Sequence, residues 1–282
     1  MNKLIACLLS ALLMLPWVGS ARSRQLEAVF LDAGKSDAII ILTDSGTVLI
    51  DAGRNSMGKE IVAFLKARQV ERVDVMIITH FDKDHVGGAD KVLEAMPVDL
   101  VIEPVYDKES KQRSDYMQAL EKTRTRVESL SGNASFELDG ASFSIDVANA
   151  DSYGENEEND FSLVTSLRFG QVSFLFAGDA ENARLAELLF EGGLRHHMLK
   201  VPHHGKAENL SAAFFRAVSP DYAVITSDEK NPEDEVVPAL LRQLGAEVFL
   251  TREGAVTALT DGESIRVMQP QKTEQSGIQN IE

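Results

Sequence analysis

Four side chains of the kinds that bind metal ions lie within six consecutive residues of this chain. The four residues are His80, Asp82, Asp84 and His85. They follow an apolar, strand-like segment at residues 73–78. Imidazole nitrogens and carboxylate oxygens are common ligands of zinc and similar ions. Because an extended segment points alternate side chains to one side, while His85 breaks that alternation, one short loop could bind two ions. The alternative is a polar turn whose carboxylates only cap the next helix, and this spacing disfavours it.

Other potential ligands also come directly after predicted strands. They are Asp51, Asp179 and the neighbouring pair His203 and His204. An aspartate at the start of a helix often caps it, so Asp179 taken alone suits a helix cap as well as a metal ligand. The remaining histidines, His196 and His197, precede their strand, and we expect them at a surface turn or in a covering contact, and not on a metal.

The hydrophobic pattern predicts the elements that must position these side chains. Runs rich in β-branched residues indicate strands at 26–31, 38–42, 48–51, 73–79, 98–102, two within 136–147, 161–169, 172–177, one starting at 199, 222–226, 248–251, 255–260 and 264–268. Helical periodicity indicates helices at 57–68, 89–95, 110–126, 183–190, 211–218 and 236–244. Each half of the chain supplies strands and then helices. We therefore expect an αββα sandwich, an α/β fold of two facing mixed sheets with outer helices and a cleft at their shared edge.

Composition limits the classes of function. The chain has 282 residues, 44 % of them hydrophobic, which is typical of a globular protein with a full core. Its formal charge of −16 repels nucleic acid at long range unless a basic cleft is shielded locally. The single cysteine, Cys7, excludes an internal disulfide.

The two ends differ from the rest. Residues 1–20 combine Lys3, an apolar run and small residues, which predicts a signal peptide. The run of about 15 residues is shorter than the roughly 20 needed to span a bilayer, so we expect no stable membrane anchor and an extracytoplasmic (periplasmic or secreted) protein. Residues 21–268 form one predicted domain, and the polar tail 269–282 is predicted to be disordered.

Separated segments of the chain, in this order, resemble the metallo-beta-lactamase superfamily, and most closely the hydrolase domain of ComEC-type DNA-uptake channels. The segments are Leu31-Asp-Ala-Gly-Lys-Ser-Asp-Ala38, Leu49-Ile-Asp-Ala-Gly53, His80-Phe-Asp82-Lys-Asp84-His85, Asn159-Asp-Phe-Ser-Leu-Val164, Ala177-Gly-Asp179 and Leu199-Lys-Val-Pro-His-His-Gly205. The resemblance covers about residues 26–268. It implies a hydrolase standing alone behind a signal peptide, without the channel helices.

The resemblance also implies roles for individual residues. His80 and Asp82, with Asn159 or Asp160, would hold one divalent ion. Asp84, His85 and His204 would hold a second, and Asp179 would bridge the two. His204 is preferred over His203 because the family's last ligand usually precedes glycine. Asp84 and His204 are also the predicted catalytic residues, since two such ions generate a hydroxide nucleophile from a shared water. Asp51 would orient a ligand histidine.

Departures from the family pattern affect the expected metal and substrate. Asp82 stands where the usual loop has histidine, which makes the first site rich in oxygen and favours manganese as well as zinc. Lys35-Ser36 replaces glutamine-glycine, and Asn231-Pro-Glu233 replaces His-Pro-His. The second change could remove a proton donor, so it weakens the expectation of nuclease activity more than that of metal binding.

The substrate expected from the resemblance is a phosphodiester, with single-stranded DNA as one candidate, and no protein partner is predicted. The alternatives are a lactam, lactone or other ester hydrolase, and a non-catalytic metal-binding protein. Four lysines near the motifs could offset the acidic surface for an anionic substrate, or could simply be solvated: Lys35, Lys83, Lys200 and Lys206. Four aromatic residues could line a cleft or pack locally: Phe81, Tyr106, Tyr153 and Phe161.

Overall fold

The computed structural model describes residues 24–154 and 158–270. The predicted signal peptide at 1–20 lies outside the described residues, as does the predicted tail from residue 271 onward. Gln269 belongs to the described part, and its side-chain amide donates hydrogen bonds to the carbonyl oxygens of Leu250 and Gly254. Within the described residues, no helix combines the length and apolar character needed to cross a membrane.

Two mixed sheets form the centre of the fold. The first has the strand order β15-β14-β1-β2-β3-β4-β5-β6. Its strands are β1 (Leu26–Phe30), β2 (Ile39–Leu42), β3 (Thr47–Ile50), β4 (Val73–Ile77), β5 (Val98–Pro104), β6 (Arg126–Leu130), β14 (Val256–Thr260) and β15 (Ile265–Met268). The second has the order β13-β12-β11-β10-β9-β8-β7. Its strands are β7 (Ala134–Leu138), β8 (Ala141–Asp146), β9 (Val164–Phe169), β10 (Val172–Phe176), β11 (Met198–Lys200), β12 (Tyr222–Ile225) and β13 (Glu247–Leu250).

Helices cover the outer face of each sheet. The first sheet carries α1 (Met57–Ala67), α2 (Ala89–Ala95) and α3 (Lys111–Thr123), and the second carries α4 (Asn182–Glu191), α5 (Ser211–Val218) and α6 (Val236–Gln243). Three short 3₁₀ helices lie at Glu158–Phe161, Pro202–Gly205 and Thr251–Glu253. Alternation within strands separates the cores: Ile40 faces the helices, whereas Ile39 and Ile41 face the other sheet. This four-layered arrangement confirms the predicted αββα sandwich.

One predicted helix is too long, and one strand was missed. The helix expected at 110–126 ends at Thr123, because Arg124 adopts a left-handed backbone conformation with φ of 57°. Strand β6 follows at Arg126–Leu130. Its first four residues are exposed, so they lack the alternation of apolar and polar residues that identifies a half-buried strand.

Strand register gathers the motif residues at one edge of the sandwich. In the first sheet, β3 and β4 are parallel with Ile50 beside Ile77, so the residues that follow both strands emerge together. In the second sheet, β10, β11 and β12 are parallel, with Phe176 beside Lys200. A hydrogen bond from the Leu163 amide to the Thr79 carbonyl, 2.9 Å long, ties the two edges to each other. Ligands from distant parts of the sequence therefore meet here.

Candidate metal centre

The loop between β4 and α2 is a tight turn that presents the predicted metal ligands. The amides of His85 and Val86 both donate to the carbonyl oxygen of Asp82, at 2.9 Å. Gly87 packs directly on this turn: a Cβ atom there would lie 2.2 Å from the Lys83 carbonyl oxygen. Only glycine fits so close an approach, so the sequence Val-Gly-Gly after His85 fixes the shape of the loop.

Asp179 lies at the centre of the gathered side chains. One of its carboxylate oxygens, Oδ2, is 3.3 Å from His85 Nε2 and 3.1 Å from His204 Nε2. The ligand atoms of His80, His85 and Asp179 all lie within 4.8 Å of one another. Gly178 makes this position possible, because its φ is +53° and a Cβ would come within 2.8 Å of Ser162. The structure thus brings together ligands from β4, β10 and β11.

Several buried polar atoms of this group make no hydrogen bond. They are the Nε2 atoms of His80, His85 and His204 and the Oδ1 atom of Asp179. The four residues are at most 4 % exposed. Leaving a buried donor or acceptor unsatisfied costs about 1–3 kcal/mol, so such atoms are rare in native proteins. A group of them in one place therefore indicates that they have a function. Imidazole nitrogens and carboxylates converging on one point are the donor set of a divalent cation, and the residues therefore fit a metal centre.

Asp51 holds two of these histidines from behind. Its carboxylate accepts hydrogen bonds from the Thr79 amide at 2.8 Å and the Thr79 hydroxyl at 2.7 Å, and it lies 2.7 Å from His85 Nδ1. Thr79 Oγ1 is also 3.0 Å from His80 Nδ1. Because the single hydroxyl proton of Thr79 goes to Asp51, His80 Nδ1–H must be the donor in that contact. Both histidines therefore direct Nε2 and not Nδ1 toward the centre, which is the orienting role expected for Asp51.

The two aspartates of the loop lie at the rim. Asp82 Oδ1 is 3.9 Å from His80 Nε2, and Asp84 Oδ2 is 4.0 Å from His204 Nε2. Asp82 also forms an ion pair with Lys108, which in turn pairs with Glu158 at 2.7 Å. Burial raises the pKa of Asp82, but His80 and Lys108 outweigh it and lower the pKa overall. Asp82 therefore stays ionised beside the histidines.

The ligand expected near Asn159 or Asp160 has other contacts. Asp160 is buried, and its Oδ1 accepts hydrogen bonds from the amides of Glu181 and Arg184 at the start of α4, at 2.8 and 3.1 Å. Asn159 donates from its side chain to Glu181 Oε1 at 3.0 Å. Asp160 thus caps a helix, and its predicted role as a metal ligand stays a prediction.

The two neighbouring histidines point to different partners. Both have left-handed backbone conformations, with φ of 48° for His203 and 53° for His204, which turns their rings apart. His204 contacts Asp179, whereas His203 Nδ1 lies 2.9 Å from Glu181 Oε1 and 3.7 Å from Glu208 Oε1. The His203 contact is the main reason that the pKa of Glu181 falls to about 2. The geometry therefore favours His204, as the resemblance implied.

Electrostatics differ sharply between neighbouring histidines. Burial, and then the nearby His85, lower the pKa of His80 to about 4. Burial also opposes charge on His85, but Asp179 and Asp51 outweigh it and raise its pKa well above the usual value. Burial raises the pKa of Asp179, while His204, His85 and Lys200 together lower it well below its usual range. The centre therefore carries concentrated negative charge on Asp179, which attracts cations.

Lys200 is not one of the substrate-facing or solvated lysines that the sequence suggested. It is 1 % exposed and forms an ion pair with Asp37, and its Nζ donates to the Gly178 carbonyl oxygen at 2.9 Å. Lys83 and Lys206 are exposed and Lys35 is half-buried. Of the four lysines considered, Lys200 alone is enclosed behind the metal centre.

The aromatic residues pack on one another beside Asp82. The Tyr106 and Phe161 rings stack with centroids 4.7 Å apart, and Phe81 and Tyr106 are 4.9 Å apart. Tyr153 meets Phe161 edge-on at 5.1 Å. Burial raises the pKa of Tyr106, so its hydroxyl stays protonated. Local packing accounts for these residues.

Away from the centre, each of the two remaining histidine rings contacts a serine. His196 Nε2 lies 2.6 Å from Ser166 Oγ, and His197 Nδ1 lies 3.0 Å from Ser173 Oγ.

Sequence reasoning missed several residues that hold the ligands in place. They are Thr79, Thr226, Asp37 and the buried role of Lys200. Thr79 lies two residues after the end of β4, next to the metal-ligand loop, and Thr226 directly follows β12. The only signal for Asp37 was its place within the first motif segment, where nothing in the local pattern distinguishes a buried carboxylate from a solvated one.

The fold and the donor set define a metal-dependent hydrolase. The family model described as the metallo-beta-lactamase superfamily matches residues 31–226. The chain belongs to this superfamily.

Individual relatives agree with this assignment. The chain is 24 % identical over 243 residues to ComE operon protein 3 of Bacillus subtilis, covering 78 % of this chain and 31 % of that protein. It is 27 % identical over 203 residues to competence protein ComA of Neisseria gonorrhoeae, covering 71 % and 27 %. It therefore spans about a third of the length of these relatives or less. The metallo-beta-lactamase fold protein YhfI of Bacillus subtilis superposes with a TM-score of 0.52 at 10 % identity, covering 81 % of this chain and 96 % of that one, which shows the shared fold.

Proposed function

We propose that this chain binds two divalent ions, Mn²⁺ or Zn²⁺, and hydrolyses phosphodiesters. The observation that carries the proposal is the set of unsatisfied buried atoms around Asp179, flanked at the rim by two further carboxylates. His80 and Asp82 would hold one ion together with Asn159 or Asp160. Asp84, His85 and His204 would hold the other, and Asp179 would contact both.

The chemistry of such a pair explains why the side chains are arranged as they are. When bound, two divalent ions acidify a shared water molecule and polarise a phosphoryl oxygen. Asp51 and Thr79 engage the Nδ1 atoms of His80 and His85, so each Nε2 faces the place that the ions would occupy. Asp84 has a side chain that is 16 % exposed at the rim, where it is placed to hold the proton lost by an attacking water.

The choice of a phosphodiester rests on the oxygen-rich rim and on the relatives. Asp82 stands where a histidine would make the first site more selective for zinc, and its carboxylate suits harder ions such as Mn²⁺. Two curated relatives carry names that refer to the ComE operon and to competence. The net charge of −16 argues against long polyanions, so we expect short substrates that reach the centre locally.

Parallel assays separate this proposal from hydrolysis of a lactam or ester by the same centre. The protein, loaded with Mn²⁺ or Zn²⁺, is incubated with bis-p-nitrophenyl phosphate, single-stranded DNA and nitrocefin. We expect turnover of the phosphodiesters, loss of that turnover in Asp84→Ala, and retention in the matched control Asp90→Ala, which pairs with Lys91 on α2. Turnover of nitrocefin alone would replace the proposal with a lactamase-type activity. No turnover despite bound ions would make the protein a metal-binding protein without catalysis.

We also propose that residues 1–20 direct the protein out of the cytoplasm and are then removed. The support is the basic start followed by an apolar run and small residues. Amino-terminal sequencing of the protein purified from cell fractions tests this, with a first residue near Ala21 in an extracytoplasmic fraction as the expected result. Full-length protein in the cytoplasm would contradict it.

A further inference from the structure

A second buried carboxylate, Asp37, lies behind the metal centre near Asp51, and one ligand atom of each lies within 4.8 Å of the other. Asp37 is 1 % exposed. Its backbone amide donates to the Asp84 carbonyl oxygen at 3.1 Å, and its own carbonyl oxygen accepts from the Gly53 amide at 2.7 Å. Its main chain is thus joined both to the metal loop and to the turn after β3. Its carboxylate is then free to face the other sheet.

The carboxylate of Asp37 reaches His204 through a threonine. The Thr226 hydroxyl donates to Asp37 Oδ1 at 2.7 Å and lies 3.0 Å from His204 Nδ1. A hydroxyl has one proton to donate, and here that proton goes to the carboxylate. The His204 Nδ1–H must therefore donate to Thr226 Oγ1. The direct distance from His204 Nδ1 to Asp37 Oδ1, 3.5 Å, is too long for a good hydrogen bond, so the threonine is the link.

The same carboxylate reaches Asp179 through a lysine. Asp37 forms an ion pair with the fully buried Lys200, whose Nζ also lies 3.5 Å from Asp179 Oδ1. A buried ammonium without a carboxylate partner is strongly unfavourable, so Asp37 is what keeps Lys200 in this place. The bond from Lys200 Nζ to the Gly178 carbonyl holds the residue before Asp179 as well.

We infer that Asp37 is a positioning residue for the second half of the metal centre. Through Thr226 it holds His204 as the Nδ1–H tautomer with an unprotonated Nε2, and through Lys200 it fixes the orientation of Asp179. It plays for His204 the part that Asp51 plays for His80, in each case through the hydroxyl of a threonine that follows a strand. The described residues thus include two carboxylate-threonine-histidine relays, Asp51-Thr79-His80 and Asp37-Thr226-His204.

The tautomer of His204 can be observed directly in the metal-free protein. Nitrogen NMR of ¹⁵N-histidine-labelled protein at a pH near 8 distinguishes Nδ1–H from Nε2–H imidazoles, because the protonated and unprotonated nitrogens resonate far apart. The His204 signals are assigned with His204→Gln. We expect the wild-type protein to hold the Nδ1–H form. Finding the Nε2–H form in the wild-type protein would overturn the inference without any need for a relay variant.

Substitution of the threonine tests the relay against mere packing. Thr226→Val keeps the shape and removes the hydroxyl, whereas Thr226→Ser restores a hydroxyl. Thr165→Val is a matched control, since Thr165 is equally buried on β9 and its hydroxyl makes no hydrogen bond. We expect Thr226→Val to lose the single Nδ1–H tautomer and to bind Mn²⁺ or Zn²⁺ about 10- to 100-fold more weakly by calorimetry. Thr226→Ser and Thr165→Val should retain the wild-type values.

Two outcomes would contradict the relay. One is a Thr226→Val protein that keeps the Nδ1–H tautomer. The other is a Thr226→Val protein whose affinity for either ion falls no further than that of Thr165→Val. Because both readouts concern tautomer and metal affinity, they are independent of which substrate the protein hydrolyses, and a failed phosphodiesterase assay would leave them unchanged.

Discussion

In both halves of the metal centre a buried carboxylate orients the histidines, but only in the second half does that carboxylate also pair with a buried lysine. In the first half, which is the loop after β4 with the carboxylate behind it, Asp51 orients His80 and His85, and no lysine or arginine contacts that carboxylate in the described structure. In the second half, Asp37 orients His204 but also pairs with the buried Lys200, which approaches Asp179. The first half is therefore held by hydrogen bonds to ligands. The second is held by hydrogen bonds and by a buried ion pair that must stay intact for the fold itself.

Chain connectivity follows the same division. Thr79, His80 and His85 belong to one loop after β4, and only Asp51 comes from elsewhere. The second half needs residues from four separate segments, brought together by the parallel pairing of β10, β11 and β12. Damage to the first half should affect metal binding most, whereas damage to the second half should also affect stability.

The largest effect is expected at Asp179, the residue both halves share. Asp179→Asn removes the charge that faces His85 and His204, so we expect loss of both ions and a fall in hydrolysis of at least about 100-fold. Elemental analysis of dialysed protein and the phosphodiester assay measure this. Asp261→Asn, at an exposed turn, is the control. A variant that kept two ions would mean that the halves do not meet at Asp179.

The second largest effect is expected for the buried ion pair between Lys200 and Asp37, which distinguishes the second half. Lys200→Met leaves Asp37 buried without its cation, and removing one partner of a buried pair typically costs about 3–5 kcal/mol of the free energy of unfolding. Adding Asp37→Leu should recover much of that loss, because two apolar side chains leave no unpaired charge. Urea denaturation of the metal-free proteins measures both. Equal stability of Lys200→Met and wild type would show that the pair does not stabilise the fold.

The pH dependence of stability isolates the first half. In the unfolded chain a histidine titrates near 6.5, whereas burial holds the pKa of folded His80 at about 4. The unfolded state therefore binds an extra proton between these values, and the stability of the metal-free protein should fall by about 2 kcal/mol from pH 6.5 to 4.5. Folded His85, whose pKa is raised, stays protonated over this range, so its contribution to stability is fully present at low pH and cannot cause the loss. His80→Gln should flatten the dependence, and an unchanged slope would refute this assignment.

The smallest of these effects is expected for Asp51, the carboxylate that orients the histidines of the first half. Asp51→Asn keeps the shape but weakens the hold on Thr79 and His85, so we expect metal affinity to fall about 10- to 100-fold with little change in stability. Calorimetry and urea denaturation measure the two quantities, with Asp44→Asn at an exposed turn as control. A loss of stability as large as that of Lys200→Met would erase the difference between the halves.

The parts of the centre that sequence could predict are those encoded locally. The loop His80 to His85 can be recognised because it has four potential metal ligands within six residues. Asp51 and Asp179 can be recognised because they directly follow predicted strands. Asp37, Lys200 and Thr226 carry no such signal, because their roles arise only when Phe176 aligns with Lys200 and Lys200 with Val224 across the sheet. For the same reason the αββα layering was predictable from alternating apolar residues, whereas the exposed strand β6 was not.

Anomalous X-ray diffraction from crystals soaked in Mn²⁺ shows how many ions bind and where. We expect two manganese peaks about 3.5–4 Å apart near the Asp179 carboxylate. One peak should contact His80 and the other His204, each through Nε2. A single ion, or ions bound away from Asp179, would contradict a two-ion centre built from these two halves.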